Sequence, residues 1–289
     1  MSEKKKIFDG LYRYELGNGN VDFRTLLSSL ATVCLAKSAL DADTFADANL
    51  TKYWNWLLRE FDAQKSRGLL PYYETVGSNT RVLTCACSRL CSAIDAADRR
   101  AGELGLARPH LLRQIDQLTD RQYEALACVT CDALGTARHH LTPPGNEGGI
   151  DFVASMRVSN RSHLFSAPSK EIRLIGQCKK YTTPVAVDRL DQFIETMHNV
   201  RYRSERVRPH LPAWFESGRG PIVGWIISHS GYQSGAVDEA QKHGIILSDS
   251  LDIAEVIAQS EMFHPNASPS ARADALITSC QALLLAGEE

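Results

Sequence analysis

The sequence predicts an α/β domain with a mixed sheet flanked by helices, preceded by a mostly helical N-terminal domain. Three observations carry this. Residues 21–63 place apolar side chains at three-and-four spacing, with no run of strict alternation. From about residue 117 the pattern changes to helix, two strands, helix, strand, helix, strand, helix, the order of a domain with helices laid on a sheet. The 289 residues, 44% of them hydrophobic, are enough for two buried cores rather than a disordered chain. The expected division is a helical accessory or sensing domain over 1–110 and a second domain over 111–289.

In the first domain, residues 1–20 read as a polar lead-in that ends in the turn-prone Gly17-Asn18-Gly19-Asn20. FRTLLSSLATVCLAKSAL and DADTFADANLTKYWNWLLREFDAQK follow as helices, the second with an apolar cluster of Trp54, Trp56, Leu57, Leu58 and Phe61. SRGLLPYYETVGS reads as a loop or short extended piece. TRVLTCACSRLCSAIDAADRRAGELG reads as one further helix ending at Gly105. No chemical motif falls in this half.

In the second domain, Leu118-Thr119-Asp120-Arg121 opens a helix, with Thr119 or Asp120 suited to cap it. RQYEALACVTCDALG continues it to Gly135, and Pro143-Pro144-Gly145-Asn146 is a turn. IDFVASMRVS reads as a strand, NRSHLFSAPSK as a loop, and EIRLIGQCKKY as the second strand of a hairpin. The helix VDRLDQFIETMHNVRYRSER follows. Then come the apolar strand PIVGWIISHS, the helix SGAVDEAQKHG, the strand IILSDS, the helix LDIAEVIAQSEMF and a last helix, ARADALITSCQALLLAG.

The chemistry is concentrated in Glu147-Gly148-Gly149-Ile150-Asp151-Phe152 and Ile175-Gly176-Gln177-Cys178-Lys179-Lys180. Strand residues two apart share a face, so Gln177 and Lys179 point the same way, and the hairpin lays the Asp151 strand beside them. Ile150, Phe152, Ile175 and Cys178 suit the alternate, buried side. Gly148-Gly149 lets the backbone bend sharply next to the carboxylate. An acid, an amide and an ammonium gathered at one sheet edge suit phosphodiester hydrolysis. Oxygen donors hold Mg²⁺ (or Mn²⁺), the ion polarises the phosphate and acidifies a bound water, and lysine orients that water or stabilises developing charge. Glu124, on the preceding helix, would add a second carboxylate. Glu147 reads as a loop charge, with assistance near the metal as the alternative.

EGGIDF followed by IGQCKKY resembles the Mrr-type restriction endonucleases, a branch of the PD-(D/E)xK nuclease superfamily in which glutamine replaces the second acid. Asp151 with Gln177-Cys178-Lys179 carries the motif, and Glu124 in QYEALACVTCDALG matches the family's glutamate on the preceding helix. PIVGWIISHSGYQSGAVDEAQKHGIILSDSLDIAEVI is similar to the family's core strand and closing elements, so the resemblance covers about residues 117–258. It implies a restriction-endonuclease-like fold and catalytic residues Asp151, Gln177, Lys179 and Glu124. It implies Mg²⁺ held by Asp151, Gln177, Glu124 and the backbone carbonyl of Cys178. It further implies double-stranded DNA as substrate and a role in restriction of foreign DNA or antiphage defence, with a partner protein of a defence system as one expectation. Duplex cleavage needs two active sites or two successive nicks, so a homodimer is a further expectation. Two other readings stay open: a structure-selective nuclease of repair or junction resolution, and a nuclease-like module that binds DNA or a partner without cutting. NRSHLFSAPSK is longer than the family's usual hairpin, and RYRSERVRPHLPAWFESGRG is an insertion.

That insertion sets Arg201, Arg203, Arg206, Arg208 and Arg219 against Glu205 and Glu216, with Trp214 and Phe215 among them. Arginines beside aromatics suit phosphate contacts and stacking, so Arg201, Arg203, Arg206 and Arg208 are the expected DNA-binding residues, with a solvated charged loop as the other open reading. The formal net charge of −2 excludes a globally basic nucleic-acid binder but not a local basic surface. Cys85, Cys87 and Cys91, and Cys128 with Cys131, invite a zinc reading, but they fall in helical stretches without a suitably spaced His pair, so buried free thiols are expected. No stretch approaches the ~20 apolar residues of a membrane span. The start, MSEKKKIFDGLYRYE, has lysines without an apolar run behind them. The expectation is a cytoplasmic chain with reduced thiols and no membrane partner.

Overall fold

The computed structural model describes residues 2–17, 19–66, 68–77, 80–145, 148–157, 171–263 and 266–286. The chain divides into two compact units, residues 1–113 with 268–270 and residues 114–267 with 271–289.

The first unit opens with a helix where the sequence reads as lead-in: α1, Glu3–Arg13, begins at Ser2, whose hydroxyl accepts Lys5 N–H. Its lysines are solvated while Ile7, Phe8 and Leu11 at three-and-four spacing are buried, and that stripe defines the helix. Strand β1 (Asn20–Asp22) leads into α2 (Phe23–Leu35), capped by the Asp22 carboxylate and closed by Ala36 in the left-handed region. The 28-residue α3 (Ala39–Ser66) buries Ala42, Ala46, Tyr53, Leu57 and Phe61. The stretch expected to be one helix up to Gly105 is instead β3 (Val82–Cys85), α4 (Ala86–Leu90) and α5 (Ala96–Gly105). Val82-Leu83-Thr84-Cys85 alternates the β-branched Val82 and Thr84 with the buried Leu83 and Cys85, and β3 pairs antiparallel with both β1 and β2 (Tyr73–Thr75). A small sheet of order β1-β3-β2 thus sits among the helices, and the helix α6 (Arg108–Gln117) follows.

The second unit is built on a five-stranded mixed sheet of order β4-β5-β6-β7-β8. Its elements are α7 (Asp120–Ala133), β4 (Arg138–Leu141), β5 (Phe152–Arg157), β6 (Glu171–Lys179), α8 (Val187–Arg201), the short α9 (Ala213–Ser217), β7 (Ile222–Ser228), α10 (Ser234–His243), β8 (Ile246–Asp249), α11 (Ser250–Gln259) and α12 (Pro269–Ala286). Thr119 and Gln122 form a reciprocal capping box that starts α7. β5 pairs antiparallel with β4 on one side and β6 on the other, whereas β6, β7 and β8 run parallel, the first crossover being made by α8. β4 is additional to the expected strands. His139 and His140 give it no apolar signal, and its edge position demands none. The hairpin residues 158–170 between β5 and β6, and Glu147, lie outside the described residues.

Both faces of β6 are covered. Ile175 and Val153, paired across the strands, pack with Leu190, Phe193 and Met197 of α8 and with Ala236 and Ala240 of α10. Helix α7 packs on β4, β5 and β6. On the face away from Ile175, the Phe152 ring crosses Gly176, where a Cβ would lie 2.0 Å from two ring atoms, and meets Trp225 edge-on at 5.5 Å. Gly176 is therefore required by the aromatic pair. Among the described residues no helix is long and apolar enough to cross a membrane.

Candidate active site

Asp151 stands one residue before β5, at the point where that strand joins the sheet. Its N–H donates to the Gly176 carbonyl at 2.9 Å, the last ladder bond of the hairpin at this end. The next amide along β6, that of Cys178, donates to the Asp151 carboxylate oxygen Oδ2 at 2.6 Å. A side-chain oxygen here takes the place of a main-chain acceptor. The charge-assisted bond fixes the carboxylate between the backbones of Gln177 and Lys179.

The turn that delivers Asp151 depends on its glycines. Gly148 and Gly149 have φ of +65° and +85°, a consecutive pair in the left-handed region. A Cβ at Gly148 would lie 2.9 Å from Val207, and one at Gly149 would lie 3.0 Å from the Thr196 hydroxyl. Thr196 of α8 donates to the Gly148 carbonyl at 2.9 Å, and the Gln177 amide nitrogen donates to the Gly149 carbonyl at 3.0 Å. From below, Thr142 anchors the same loop, its hydroxyl lying 2.7 Å from the Ile150 carbonyl and 2.9 Å from that of Asp151.

Gln177 is buried, at 9% exposure, on the α8 face of β6. Alternation puts Lys179 on that face too, at the end of the strand, with its Nζ 5.8 Å from the centre of the Tyr181 ring. The expectation that Ile150, Phe152, Ile175 and Cys178 share one face away from Gln177 is corrected. Ile150 and Ile175 lie in the α8-side cluster with Gln177, and Phe152 is on the opposite face. β6 is a central strand, so each face must be filled. Cys178 is buried on the side opposite Gln177, and its thiol is held well above the ordinary range by burial first, then by the negative charges of Asp151 and Glu124. The thiol therefore stays neutral, and what Cys178 offers chemically is its backbone.

Glu124, like Asp151, lies near enough to Cys178 for its charge to act on the thiol. Glu124 accepts from Arg121 Nη1 at 2.5 Å, and Arg121 Nη2 donates to the Thr142 carbonyl at 2.6 Å. Arg121 thus ties the helix carboxylate to the loop that carries Asp151. Sequence reasoning passed over Arg121, Thr142 and Thr196. Arg121 and Glu124 are three apart on one helix face, a signal readable in retrospect; the threonines act on carbonyls distant in the chain and leave no local mark. An Asp116–His229 pair, 2.9 Å apart, lies next to Lys179, whose carbonyl accepts the His229 N–H.

Two carboxylates, an amide and a main-chain carbonyl form a set of hard oxygen donors of the kind that holds Mg²⁺, which usually takes one or two carboxylates and keeps several waters. Among the described residues no three His, Cys, Asp or Glu side chains cluster as a metal site. Cys85 closes β3 and is not helical as expected, Cys87 lies in α4 with its sulfur 2.9 Å from Arg108 Nη2, and Cys91 follows that helix. Cys128 and Cys131 are buried in α7. Of the insertion arginines, Arg208 pairs with Glu216 at 3.1 Å, and Arg201 and Arg203 line a cavity with it.

Residues 115–208 match the family model of the restriction-endonuclease domain Mrr_cat, which takes in α7, the Gly148–Asp151 turn, β6 and α8. That segment is therefore similar to a restriction-endonuclease domain of the Mrr type, and it belongs to a mixed sheet flanked by helices. Among solved structures it is similar to the MspJI restriction endonuclease in complex with a 27-mer oligonucleotide, at 17% identity over 73% of this chain and 39% of that one, with a TM-score of 0.37. It is also similar to the DNA modification-dependent restriction endonuclease AspBHI (18% identity, 77% and 48% coverage, TM-score 0.39). A third is the protein VC1899 from Vibrio cholerae (14%, 89% and 55%, TM-score 0.22). The chain spans 39% to 55% of the length of these neighbours. No curated protein matches it.

Proposed function

We propose that this protein is a Mg²⁺-dependent endonuclease that hydrolyses phosphodiester bonds in double-stranded DNA, in restriction of foreign DNA or antiphage defence. The observation that carries the reading is the Asp151 carboxylate bonded to the Cys178 amide between Gln177 and Lys179, inside the segment that matches the restriction-endonuclease model. The Asp151 and Glu124 carboxylates, the Gln177 amide oxygen and the Cys178 carbonyl would hold the ion. When bound, a divalent ion there polarises the scissile phosphate and lowers the pKa of a water.

The remaining work falls to the chain. Asp151 is fixed by a main-chain amide rather than by a mobile side chain, so it is preorganised for binding a cation. Gln177 adds a neutral oxygen where a third carboxylate would add charge and repulsion. Lys179, at the mouth of the strand, orients the attacking water and stabilises the charge that develops on the phosphate. Arg121 offsets the charge of Glu124 and holds it toward the Asp151 loop.

The test is cleavage of supercoiled, linear and branched DNA with Mg²⁺ or Mn²⁺ by the parent chain and by Asp151→Ala and Lys179→Ala, with folding checked by circular dichroism. Metal-dependent cleavage of duplex DNA that is lost in both variants supports the reading. Folded variants that cleave like the parent place any nuclease activity elsewhere, and a preference for branched DNA alone favours a junction nuclease.

A further inference from the structure

At the other end of β6, a cavity of about 110 Å³ is lined by Arg173, Arg201, Arg203 and Arg208, with Glu216 as its one carboxylate and Val207 and Phe215 among its walls. Arg173 lies four positions before Gln177 on one strand, about 13 Å at ~3.3 Å per residue, and the cavity wall at Val207 abuts the Gly148 turn that leads into the candidate active site. We propose that this cavity is a separate binding site for a terminal phosphate, the monoester group of a nucleotide or of a nucleic-acid 5′ end.

Charge is the first argument. Four arginines line the cavity with one carboxylate, Glu216, which Arg208 engages at 3.1 Å while its other nitrogen stands 3.6 Å from Glu205 outside the lining. The Arg173 guanidinium is held by carbonyls instead: Nη1 donates to Phe215 at 2.8 Å, and Nε and Nη2 donate to Gly220 at 3.1 and 2.9 Å. Among the described residues no carboxylate pairs with it. Burial and then the charge of Arg203 push its pKa down. Positive charge gathered against apolar walls is self-repelling until an anion enters.

The position of Arg203 is the second argument. It closes α8: its N–H donates to the Val200 carbonyl at 3.1 Å and the Ser204 N–H to the Asn199 carbonyl at 2.9 Å, the paired bonds of a left-handed helix end, which account for its φ of +53°. Glycine is the usual residue at such an end, and arginine instead adds a cationic side chain to the cavity lining. Arg203 follows the end of α8, whose last carbonyls disfavour an anion, so a purely favourable helix dipole does not explain the site.

Size and valence select the ligand. The volume is several times that of a water and admits a phosphate but not a base with its sugar. A monoester brings ~1.5–2 negative charges and three terminal oxygens into a concave site, whereas a chain phosphate brings one charge and two ester links that must both leave it. The rest of the ligand then lies at the mouth.

The test uses the full chain without divalent metal, so its outcome does not depend on the nuclease reading. Calorimetry would compare inorganic phosphate, adenosine 5′-monophosphate, adenosine, and oligonucleotides with 5′-phosphate or 5′-hydroxyl ends. Phosphate and the monophosphate should bind, adenosine should not, and Arg201→Ala with Arg203→Ala should weaken binding at least tenfold. Arg203→Gly should do the same with an unchanged or raised unfolding temperature, since glycine accepts that φ. A 5′-phosphorylated oligonucleotide that binds ten times tighter than the mononucleotide identifies a nucleic-acid end as the source; equal binding identifies a small phosphate ligand. Absence of phosphate binding, equal affinity for 5′-phosphate and 5′-hydroxyl oligonucleotides, or binding unaffected by the arginine variants overturns the proposal.

Discussion

Alanine at Asp151 removes both a hydrogen-bond acceptor and a charge, whereas asparagine removes only the charge. In the parent, Oδ2 accepts the buried Cys178 N–H at 2.6 Å. A buried amide left without a partner costs about 1–3 kcal/mol. In a domain of this size each kcal/mol moves the unfolding temperature by about 2–4 °C, so Asp151→Ala should unfold roughly 2–12 °C lower. Relief of repulsion with Glu124, whose charge also acts on the Cys178 thiol, works the other way and places the shift in the lower half of that range. Asparagine keeps a carbonyl oxygen for the amide. A charge-assisted bond is about twice as strong as a neutral one, so Asp151→Asn should lose only ~1 kcal/mol. Both variants should lose Mn²⁺ binding, because each lacks the carboxylate. Thermal unfolding without metal, beside calorimetric Mn²⁺ titration, reads the two effects separately. An alanine variant as stable as the parent would refute the structural role given to Oδ2. An asparagine variant that binds Mn²⁺ like the parent would refute the ligand role.

Other perturbations separate the remaining parts. Lys179→Ala should leave Mn²⁺ binding intact or tighter, because a neighbouring positive charge is gone, while cleavage in a plasmid assay falls ~10²–10³-fold; loss of metal binding instead would reverse the role given to the lysine. Cys178→Ala should keep metal binding and cleavage near the parental level, since only its amide and carbonyl are used, and a collapse of activity would implicate the thiol. Gly176→Ala forces a Cβ to within 2.0 Å of the Phe152 ring and should destabilise the domain by about 1–3 kcal/mol in urea unfolding, with Phe152→Leu in the same chain recovering part of the loss. Additive effects of those two changes would show that the ring and the glycine do not interact.

The hairpin around Asp151 and Gln177-Cys178-Lys179 was legible because its signals are local: alternation fixes which strand residues share a face, and paired glycines before an aspartate mark a tight turn. The small sheet of the first unit was not legible. Val82–Cys85 runs straight into the helix Ala86–Leu90, and the combined spacing imitates one long helix. α1 was hidden by its lysines, which outweigh Ile7, Phe8 and Leu11 until a core is present to bury them. At the candidate site, the sequence names the acid but not what holds it. The bonds from Thr142 and Thr196 join positions 8 to 48 residues apart, and no period or spacing encodes such a contact. The insertion illustrates the same limit. Its arginines read as an undivided basic loop, yet three of them share a cavity with Arg173, a strand residue that no motif or spacing singles out.

The bond from the Cys178 amide to Asp151 turns one backbone proton into a reporter on the site. Amides that donate to carboxylates resonate far downfield, and the position depends on the charge and distance of the oxygen. Protonation, metal capture or substitution at Asp151 would each move that single resonance while its neighbours in β6 stay with the ladder. Its hydrogen-exchange rate would follow how often the Asp151 turn lifts from the strand. One line in a spectrum of the resting protein therefore records whether the carboxylate is seated before any DNA is added.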